Sequence, residues 1–270
     1  MKTSRLFGMT MIAILMGASL ASCTKEGDET PQYNLVKNEK KVIKLEYEDF
    51  FNKSVYHMNY DNEGRLHEST CYLGSEENIL NRTYIWKNSE ITERNGYGWP
   101  YKLNNGLIRK YGYSTQVTYD NDQHLSKTES TDRCTYYYSL LCGSNDGRLS
   151  RSGMYYKKDE NSAILELLLN LYYTEENVTT CNGFNPLAAI FAGFYEEDIC
   201  LAHPELVGVR TNILPNAFAE TYYSFDDNGH SISDTMRGSF IYQFDNDGYI
   251  IECIMRYEEA GDKKCTITWE

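Results

Sequence analysis

The sequence predicts an all-β protein. We expect an antiparallel up-and-down meander that forms a curved sheet or a barrel, with a short helical insert around residues 186–206. Two observations predict this fold class: tyrosine supplies 24 of the 270 residues, and one turn pattern recurs along the chain. Tyrosine suits half-buried pleated surfaces, because its ring packs on the core side while its hydroxyl tolerates water.

The recurring pattern reads aromatic, Asp, two polar residues, Gly, any residue, apolar. An Asp side chain in this place accepts a hydrogen bond from the backbone N–H two residues on, and the Gly adopts a positive φ. Each copy therefore predicts one β-hairpin with a bulge beside its turn. The copies contain Asp61 and Gly64, Asp120 with Gln123 in place of Gly, Gly147, Asp226 and Gly229, and Asp245 and Gly248.

The same pattern predicts the strand register on both sides of the turn. Tyr60 should pair with Leu66 in the first copy, and Phe244 with Ile250 in the last.

The acidic turn at Asp245–Gly248 also suggests a calcium loop. Such a loop needs an oxygen ligand at its first position and a bidentate Glu at its twelfth. Gln243 and Ile254 occupy those places. We therefore interpret the acids as turn residues and predict neither a metal nor a cofactor.

Residues 1–22 have the pattern of a secretory signal, with Lys2 and Arg5 before an apolar run that is too short to span a membrane. The letters "LASC" end at Cys23 and resemble the lipobox of bacterial lipoproteins, in which that cysteine carries lipid. Acyl chains on Cys23 would hold the protein to a membrane. The alternative is an ordinary signal peptide followed by an unrelated cysteine.

Residues 23–40 are polar and predict a flexible tether, and residues 41–270 then form one domain. Glu26, Asp28 and Glu29 resemble the acidic export tag of surface lipoproteins in Bacteroidetes; the alternative is a merely solvated linker. We expect a lipid-anchored outer-membrane protein that is exposed at the cell surface.

The net charge of −13 argues against nucleic-acid binding, which needs a cationic surface. Seven cysteines follow Cys23, and none forms a CxxC pair. In an oxidising compartment some could pair, although an odd number leaves at least one free or bonded to another chain.

Residues 161–215 interrupt the repeat. They begin with the apolar run "NSAILELLLNLYY", which predicts either a buried strand or a helix. Asn185 is placed as an N-cap and Pro186 as the first helical residue, which predicts a helix over 186–197. The letters "AHPELVG" predict a further helical turn. Because the insert is apolar on most sides, we interpret it as a core plug rather than a ligand pocket.

The Tyr-Asp-x-x-Gly-Arg-Leu unit at 60–66 resembles the YD repeat of Rhs-type proteins. The chain also resembles Bacteroidetes lipoproteins of a domain-of-unknown-function family with a porin-like β fold. The matching features are Cys23, Tyr60-Asp61, Asn185-Pro186-Leu187, Ile213-Leu214-Pro215 and Phe225-Asp226. The resemblance implies the fold over most of 41–270 and carries no established activity. We expect a barrel or sheet hung from lipid rather than a membrane pore, because the strands show no lipid-facing apolar alternation.

Tyr97, Trp99 and Tyr101 alternate with small residues in "ERNGYGWPYK" and form the candidate ligand site, since exposed rings can stack on sugars. The alternative is a tight connection whose rings pack on the sheet. Thr235 lies in a "DTM" triplet that resembles an O-glycosylation motif of exported Bacteroidetes proteins.

The leading functional interpretation is a non-enzymatic binding or structural role towards a glycan or an envelope protein. The alternative is a carbohydrate-active hydrolase with an unrecognised carboxylate pair. A binder should show an exposed aromatic strip, whereas an enzyme should show two buried carboxylates that face one cleft.

Overall fold

Sixteen antiparallel strands of the described residues form a closed barrel. The computed structural model describes residues 40–50, 52–74, 79–96, 98–112, 114–121, 123–129, 135–142, 148–159, 162–176, 178–183, 185–192, 194, 197–208, 211–225 and 231–270. The strands up to the insert are β1 Val42–Glu48, β2 Lys53–Tyr60, β3 Leu66–Leu73, β4 Ile79–Lys87, β5 Glu90–Arg94, β6 Pro100–Asn104, β7 Leu107–Tyr111, β8 Thr115–Tyr119, β9 Leu125–Glu129, β10 Thr135–Cys142, β11 Leu149–Asp159 and β12 Ser162–Tyr172.

The insert contains the short strands β13, Thr179–Thr180, and β14, Ile213–Leu214, which pair with each other. The barrel continues with β15 Ala217–Phe225, β16 Ser231–Phe244, β17 Ile250–Tyr257 and β18 Lys263–Trp269. Each barrel strand pairs with the next one along the chain, β12 pairs with β15, and β1 closes the ring by pairing with β18. The predicted all-β meander is confirmed, and it takes the form of a barrel rather than an open sheet.

In the described part of the segment between β13 and β14 lie three short helices: α1, Leu187–Phe191; α2, Asp198–Ala202; and a 3₁₀ helix, Pro204–Val207. The Asn185 side chain accepts a hydrogen bond from the Leu187 N–H at 3.0 Å, as expected of a cap. The helix predicted over 186–197 is shorter than expected and ends at Phe191. We call residues 185–208 the plug.

The plug lies in the core of the barrel. Alternation along the strands turns side chains such as Leu45 and Ile91 inward, where both are fully buried. Ile199 and Val207 of the plug are also fully buried and belong to the same apolar cluster. The barrel interior is therefore filled by its own side chains and by the plug. The insert predicted over 161–215 is shorter than expected, because Ser162–Tyr172 forms the barrel strand β12.

The outward-facing side chains of neighbouring strands form ion pairs. Glu46 lies 2.5 Å from Lys44 and 2.8 Å from Lys53, across β1 and β2. Glu252 of β17 pairs with Lys264 of β18. Charges at these places contrast with the apolar outer band of transmembrane barrels.

The turns after β2 and β16 have the Asp hydrogen bonds and the positive glycine φ that the turn pattern predicts. Asp61 and Asp245 each accept from the backbone N–H two residues on, at 2.9 and 3.0 Å. The N–H groups of Gly64 and Gly248 donate to the carbonyls of these Asp residues at 2.9 and 3.1 Å. The two glycines have φ of 82° and 83°, which an L side chain adopts only at a cost. Gly147, Asp226 and Gly229 lie outside the described residues.

The predicted register is also confirmed. Tyr60 pairs with Leu66 and Phe244 with Ile250, and both ladders are irregular at the turn, as a bulge requires. The second carboxylate oxygen of Asp245 accepts from Lys40 Nζ at 2.7 Å. The acids of this turn thus bind backbone and lysine, in line with the turn interpretation.

The turn after β8 has the same form without a glycine. Gln123 occupies the glycine place with φ of 67°. Its N–H donates to the Asp120 carbonyl at 3.1 Å, and the Asp120 side chain accepts from the His124 N–H at 2.9 Å. Gln123 is exposed, so its side chain gives little burial in return for the left-handed conformation.

Gln123→Gly is expected to stabilise the protein by about 0.5–1 kcal/mol. Glycine removes the steric cost of the positive φ, and this gain exceeds the added entropy of the unfolded chain. The measurement is the free energy of unfolding in urea. The matched control is Gln116→Gly within β8, an exposed strand position where the same change should destabilise. A loss of stability in both variants would contradict the expectation.

Candidate functional site

A buried ionic cluster connects the plug to the barrel wall. Arg82 Nη1 of β4 lies 2.5 Å from Asp198 Oδ1, at the start of α2. Arg82 Nε lies 3.5 Å from Glu93 Oε1 of β5. Ser69 Oγ of β3 donates to Asp198 Oδ2. Since the Asp198 side chain is 0% exposed and the Glu93 side chain 1%, these charges rely on one another rather than on water.

The alternation of side chains along the strands explains why the barrel-wall residues of this cluster point inward. In β4, Arg82 and Tyr84 are buried, and in β5 Ile91 and Glu93 are buried. Residues two apart in a strand point to the same face, so Arg82 and Glu93 point into the barrel with their apolar neighbours. Arg82 therefore reaches Asp198 of the plug, and Glu93 lies beside Arg82.

Glu197, next to Asp198, adds a second carboxylate from the plug. Its Oε2 accepts from the Tyr101 hydroxyl of β6 at 2.6 Å. Burial raises the pKa of Glu197 to about 7, against the opposing effects of the Tyr101 hydrogen bond and Arg82. Burial also raises the pKa of Asp198, although Arg82 opposes that shift. Glu197 can therefore hold a proton near neutral pH.

A histidine fixes the other end of the plug. His203 Nε2 accepts from the Leu66 backbone N–H at 3.1 Å, and its Nδ1 lies 2.9 Å from Glu205 Oε1. Because Nε2 accepts, the ring hydrogen of the neutral imidazole lies on Nδ1 and points to Glu205. The plug thus supplies the partner that the first N–H of β3 needs.

These contacts define what the cluster does chemically. Both oxygens of Asp198 and one oxygen of Glu197 are engaged by internal donors from the wall. Such an arrangement holds two layers of structure together and leaves Glu197 as a protonatable group. Within the described residues, no group of three or more His, Cys, Asp or Glu is arranged to hold a metal ion.

Glu197→Gln is expected to stabilise the protein above about pH 7 and to change it little near pH 4. The folded-state pKa of about 7 lies above the ordinary value of 4.5, so the folded protein keeps a proton that the unfolded chain releases. The free energy of unfolding of the natural protein therefore falls as pH rises through this window. Because Glu197 is partly exposed, we expect a fall on the order of 1–2 kcal/mol.

Urea unfolding from about pH 4 to about pH 8 measures this effect. Glu68→Gln is the matched control, because the Glu68 side chain is 55% exposed on β3. The variant should flatten the pH profile between pH 4.5 and 7, the ordinary and folded-state pKa values of Glu197, whereas the control should not. An unchanged profile in Glu197→Gln would refute the assignment of the proton to Glu197.

A second polar cluster lies at the opposite end of the barrel from the Asp61 and Asp245 turns. Glu220 of β15 accepts from Lys263 Nζ of β18 at 3.1 Å and from the Tyr257 hydroxyl of β17 at 2.6 Å. Glu220 and Lys263 are nearly buried, whereas Phe50 is 36% and Tyr222 41% exposed. We call Glu220, Lys263, Tyr257, Phe50 and Tyr222 together the far-end mouth.

The structure corrects the candidate site predicted from "ERNGYGWPYK". Tyr101 is 1% exposed, because β6 begins at Pro100 and its alternation turns Tyr101 inward to Glu197. Its ring is therefore not part of an exposed strip. Trp99 is half-buried and packs near Tyr111, with ring centroids 6.5 Å apart. Tyr97 lies outside the described residues.

Sequence reasoning missed both ionic clusters. The sequence did contain a signal for the Arg82 cluster. In "LNRTYIW", Arg82 occupies the same alternating strand positions as Leu80, Tyr84 and Trp86, which point inward. A charged residue at an inward position of a strand needs a buried partner. The identity of that partner was not readable, because Asp198 lies 116 residues away.

Of the two residues predicted to be modified, Thr235 and Cys23, the structure describes only Thr235. Thr235 lies in β16, half-buried, with its Oγ1 3.0 Å from Thr221 Oγ1 of β15. Its glycosylation stays a prediction. Cys23 and residues 24–39 of the tether lie outside the described residues. Among those residues, no helix is long and apolar enough to cross a membrane.

Comparison with known proteins identifies the fold. No protein-family model matches the sequence, and no curated protein sequence matches it significantly. A porin-like protein from Bacteroides uniformis ATCC 8492 aligns at TM-score 0.56 and 13% identity, over 86% of this chain and 96% of that one. A porin-like protein from Bacteroides vulgatus ATCC 8482 aligns at TM-score 0.57 and 13% identity, over 85% and 98%. The porin-like β fold is thereby confirmed.

Proposed function

We propose that the protein is a non-enzymatic binding or structural component of the cell envelope. The observation that carries this proposal is the buried Arg82–Asp198 pair. This pair ties the plug to the barrel wall and engages the Asp198 carboxylate, while the Tyr101 hydroxyl engages Glu197, so neither carboxylate is free as a hydrolase would need. The interior is then a scaffold, and the surfaces left for a partner are the outer wall and the two ends.

We propose an outer-membrane location with lipid on Cys23. The support is the "LASC" pattern after an apolar segment and the polar stretch that follows it. The ion pairs on the outer wall fit a domain that stands in water and is held by its tether. Fold neighbours from Bacteroides that are described as porin-like agree with this setting.

Labelled palmitate tests the anchor in cells that express the full chain. We expect label on the natural protein and none on Cys23→Ala, with Cys71→Ala as a control that keeps the label. Cys71 is a buried wall residue. Label that persists in Cys23→Ala would refute lipid attachment at Cys23.

For the ligand, we propose a glycan, bound at the barrel end that carries the far-end mouth. Phe50 and Tyr222 present ring surface beside the Glu220–Lys263 pair, and this combination suits a sugar. Rings cover apolar sugar faces, while charged groups meet hydroxyls. Half-buried Trp99, in a loop at the same end, is the second place for such a contact.

A glycan array with the full chain tests binding. Phe50→Ala, Tyr222→Ala and Trp99→Ala each remove a ring from that end. Tyr172→Ala is the matched control, because Tyr172 is 53% exposed elsewhere, at the end of β12. We expect loss of signal in at least one of the three and none in the control. Equal binding by all variants would exclude these rings as the site.

A carbohydrate-active hydrolase is the second candidate, favoured by the raised pKa of Glu197 beside the carboxylate of Asp198. A protonated carboxyl near neutral pH can serve as a general acid. A substrate would have to displace internal partners of both groups, which is why we rank this candidate lower. Turnover of an array glycan that Glu197→Gln abolishes would reverse the ranking.

A further inference from the structure

Two cysteines stand directly opposite each other in the barrel wall. Cys253 of β17 pairs with Cys265 of β18 in the antiparallel ladder. Both are buried, at 2% and 4% exposure. In the structure both are free thiols.

Both side chains point to the same side of the sheet. They line one apolar cavity together with Leu187 and Phe191 of α1, so each thiol lies on the inner face of the wall. Opposed residues of an antiparallel pair have Cα atoms about 4.5–5.5 Å apart. Disulfides accept Cα separations of about 4.4–6.8 Å. The register therefore gives this pair the backbone spacing of a disulfide.

The other buried cysteines with described surroundings lack this arrangement. Cys71 of β3 faces Tyr56 on one side and Leu80 on the other. Cys200 lies in α2, and Cys181 lies just after β13. Among these five free cysteines, only Cys253 and Cys265 oppose each other in a ladder.

We propose that Cys253 and Cys265 form a cross-strand disulfide that locks the β17–β18 hairpin beside the seam where β1 closes the barrel. Each thiol loses its hydrogen and one S–S bond forms. The two electrons and two protons pass to the disulfide of an external oxidant, which becomes two thiols. In the cell, the oxidant is the disulfide of an exported thiol oxidoreductase. Only this cellular oxidation step rests on the proposed export of the protein.

The order of events follows from burial. Burial raises the pKa of both thiols in the folded barrel, and thiolate is the reactive form. Oxidation therefore belongs to the stage when the hairpin has formed and the plug has not yet covered it. The two cysteines are close in sequence, so the hairpin can form from local contacts alone.

The test is refolding of the full chain with oxidised and reduced glutathione, followed by alkylation and peptide mapping. We expect one linked pair of peptides containing Cys253 and Cys265, about 2 Da lighter than the two reduced peptides together. Dithiothreitol should lower the Tm of the natural protein. Cys253→Ser should abolish this Tm response, and Cys71→Ser, the matched buried cysteine, should retain it.

Mapping of the natural protein decides the matter without any variant. If both cysteines are alkylated after oxidative refolding, or if each is linked to another cysteine or to glutathione, the proposal is wrong. The glutathione experiment does not depend on cellular location, whereas palmitate labelling tests location alone. Failure of one is therefore distinguishable from failure of the other.

Discussion

Arg82→Met should lower the free energy of unfolding by about 3–5 kcal/mol at neutral pH. The substitution keeps much of the side-chain volume and removes the charge, which leaves Asp198 and Glu93 buried without their cation. Desolvated carboxylates without a partner are strongly unfavourable. Because Asp198 belongs to the plug, the lost stability should first appear as loosening of α2 from the wall. Urea unfolding measures the total loss, and hydrogen exchange of α2 amides measures the local one.

Two comparisons separate charge from packing. Arg94→Met changes an exposed arginine on β5 and should cost less than about 0.5 kcal/mol. The double variant Arg82→Met/Asp198→Asn should recover part of the loss, since the uncompensated charge is gone. The loss in the single variant should also shrink at acid pH, where the carboxylates are protonated. A cost equal to that of Arg94→Met would refute the importance of the pair.

The hairpins were predictable because their information is local. Asp61 and Gly64 lie three residues apart, and their side chain and φ preference alone define the turn. The same logic placed Tyr60 opposite Leu66. Gln123 shows how far this local pattern can vary. The turn after β8 keeps its shape without the glycine, because the strands on both sides impose that shape.

Closure of the barrel and the position of the plug were not predictable in the same way. The pairing of β1 with β18 joins the two ends of the domain, and no local pattern specifies it. The strand-to-strand step from β12 to β15 crosses the whole insert. The apolar character of the insert indicated burial, but only the three-dimensional ring shows that the space available for it is the interior.

The error at Tyr101 has a specific physical origin. Pro and Gly around Trp99 favour a loop over residues 93–102, whereas β6 already begins at Pro100. Proline can begin a strand, because its missing N–H is tolerated there. Once β6 starts at Pro100, Tyr101 takes the inward position, and its hydroxyl finds Glu197 instead of a ligand.

Gly208→Ala should lower the free energy of unfolding by about 2–4 kcal/mol, the second large effect we expect. Gly208 ends the 3₁₀ helix of the plug with φ of 73°. A Cβ there would lie 2.5 Å from the Gln123 backbone oxygen and 2.9 Å from the Tyr119 ring. Because a backbone atom of the wall is involved, the strain cannot be relieved by rotating one side chain. The plug would have to move away from the turn after β8.

Gly74→Ala separates the two costs of this change. Gly74 has φ of 71°, and a Cβ there would meet nothing within 4 Å. It should therefore show the conformational cost alone, about 1 kcal/mol. The difference between the two variants in urea unfolding measures how closely the plug approaches the wall. If Gly208→Ala costs no more than Gly74→Ala, the plug can yield at this contact, and the barrel interior is less tightly filled than the packing around Gly208 implies.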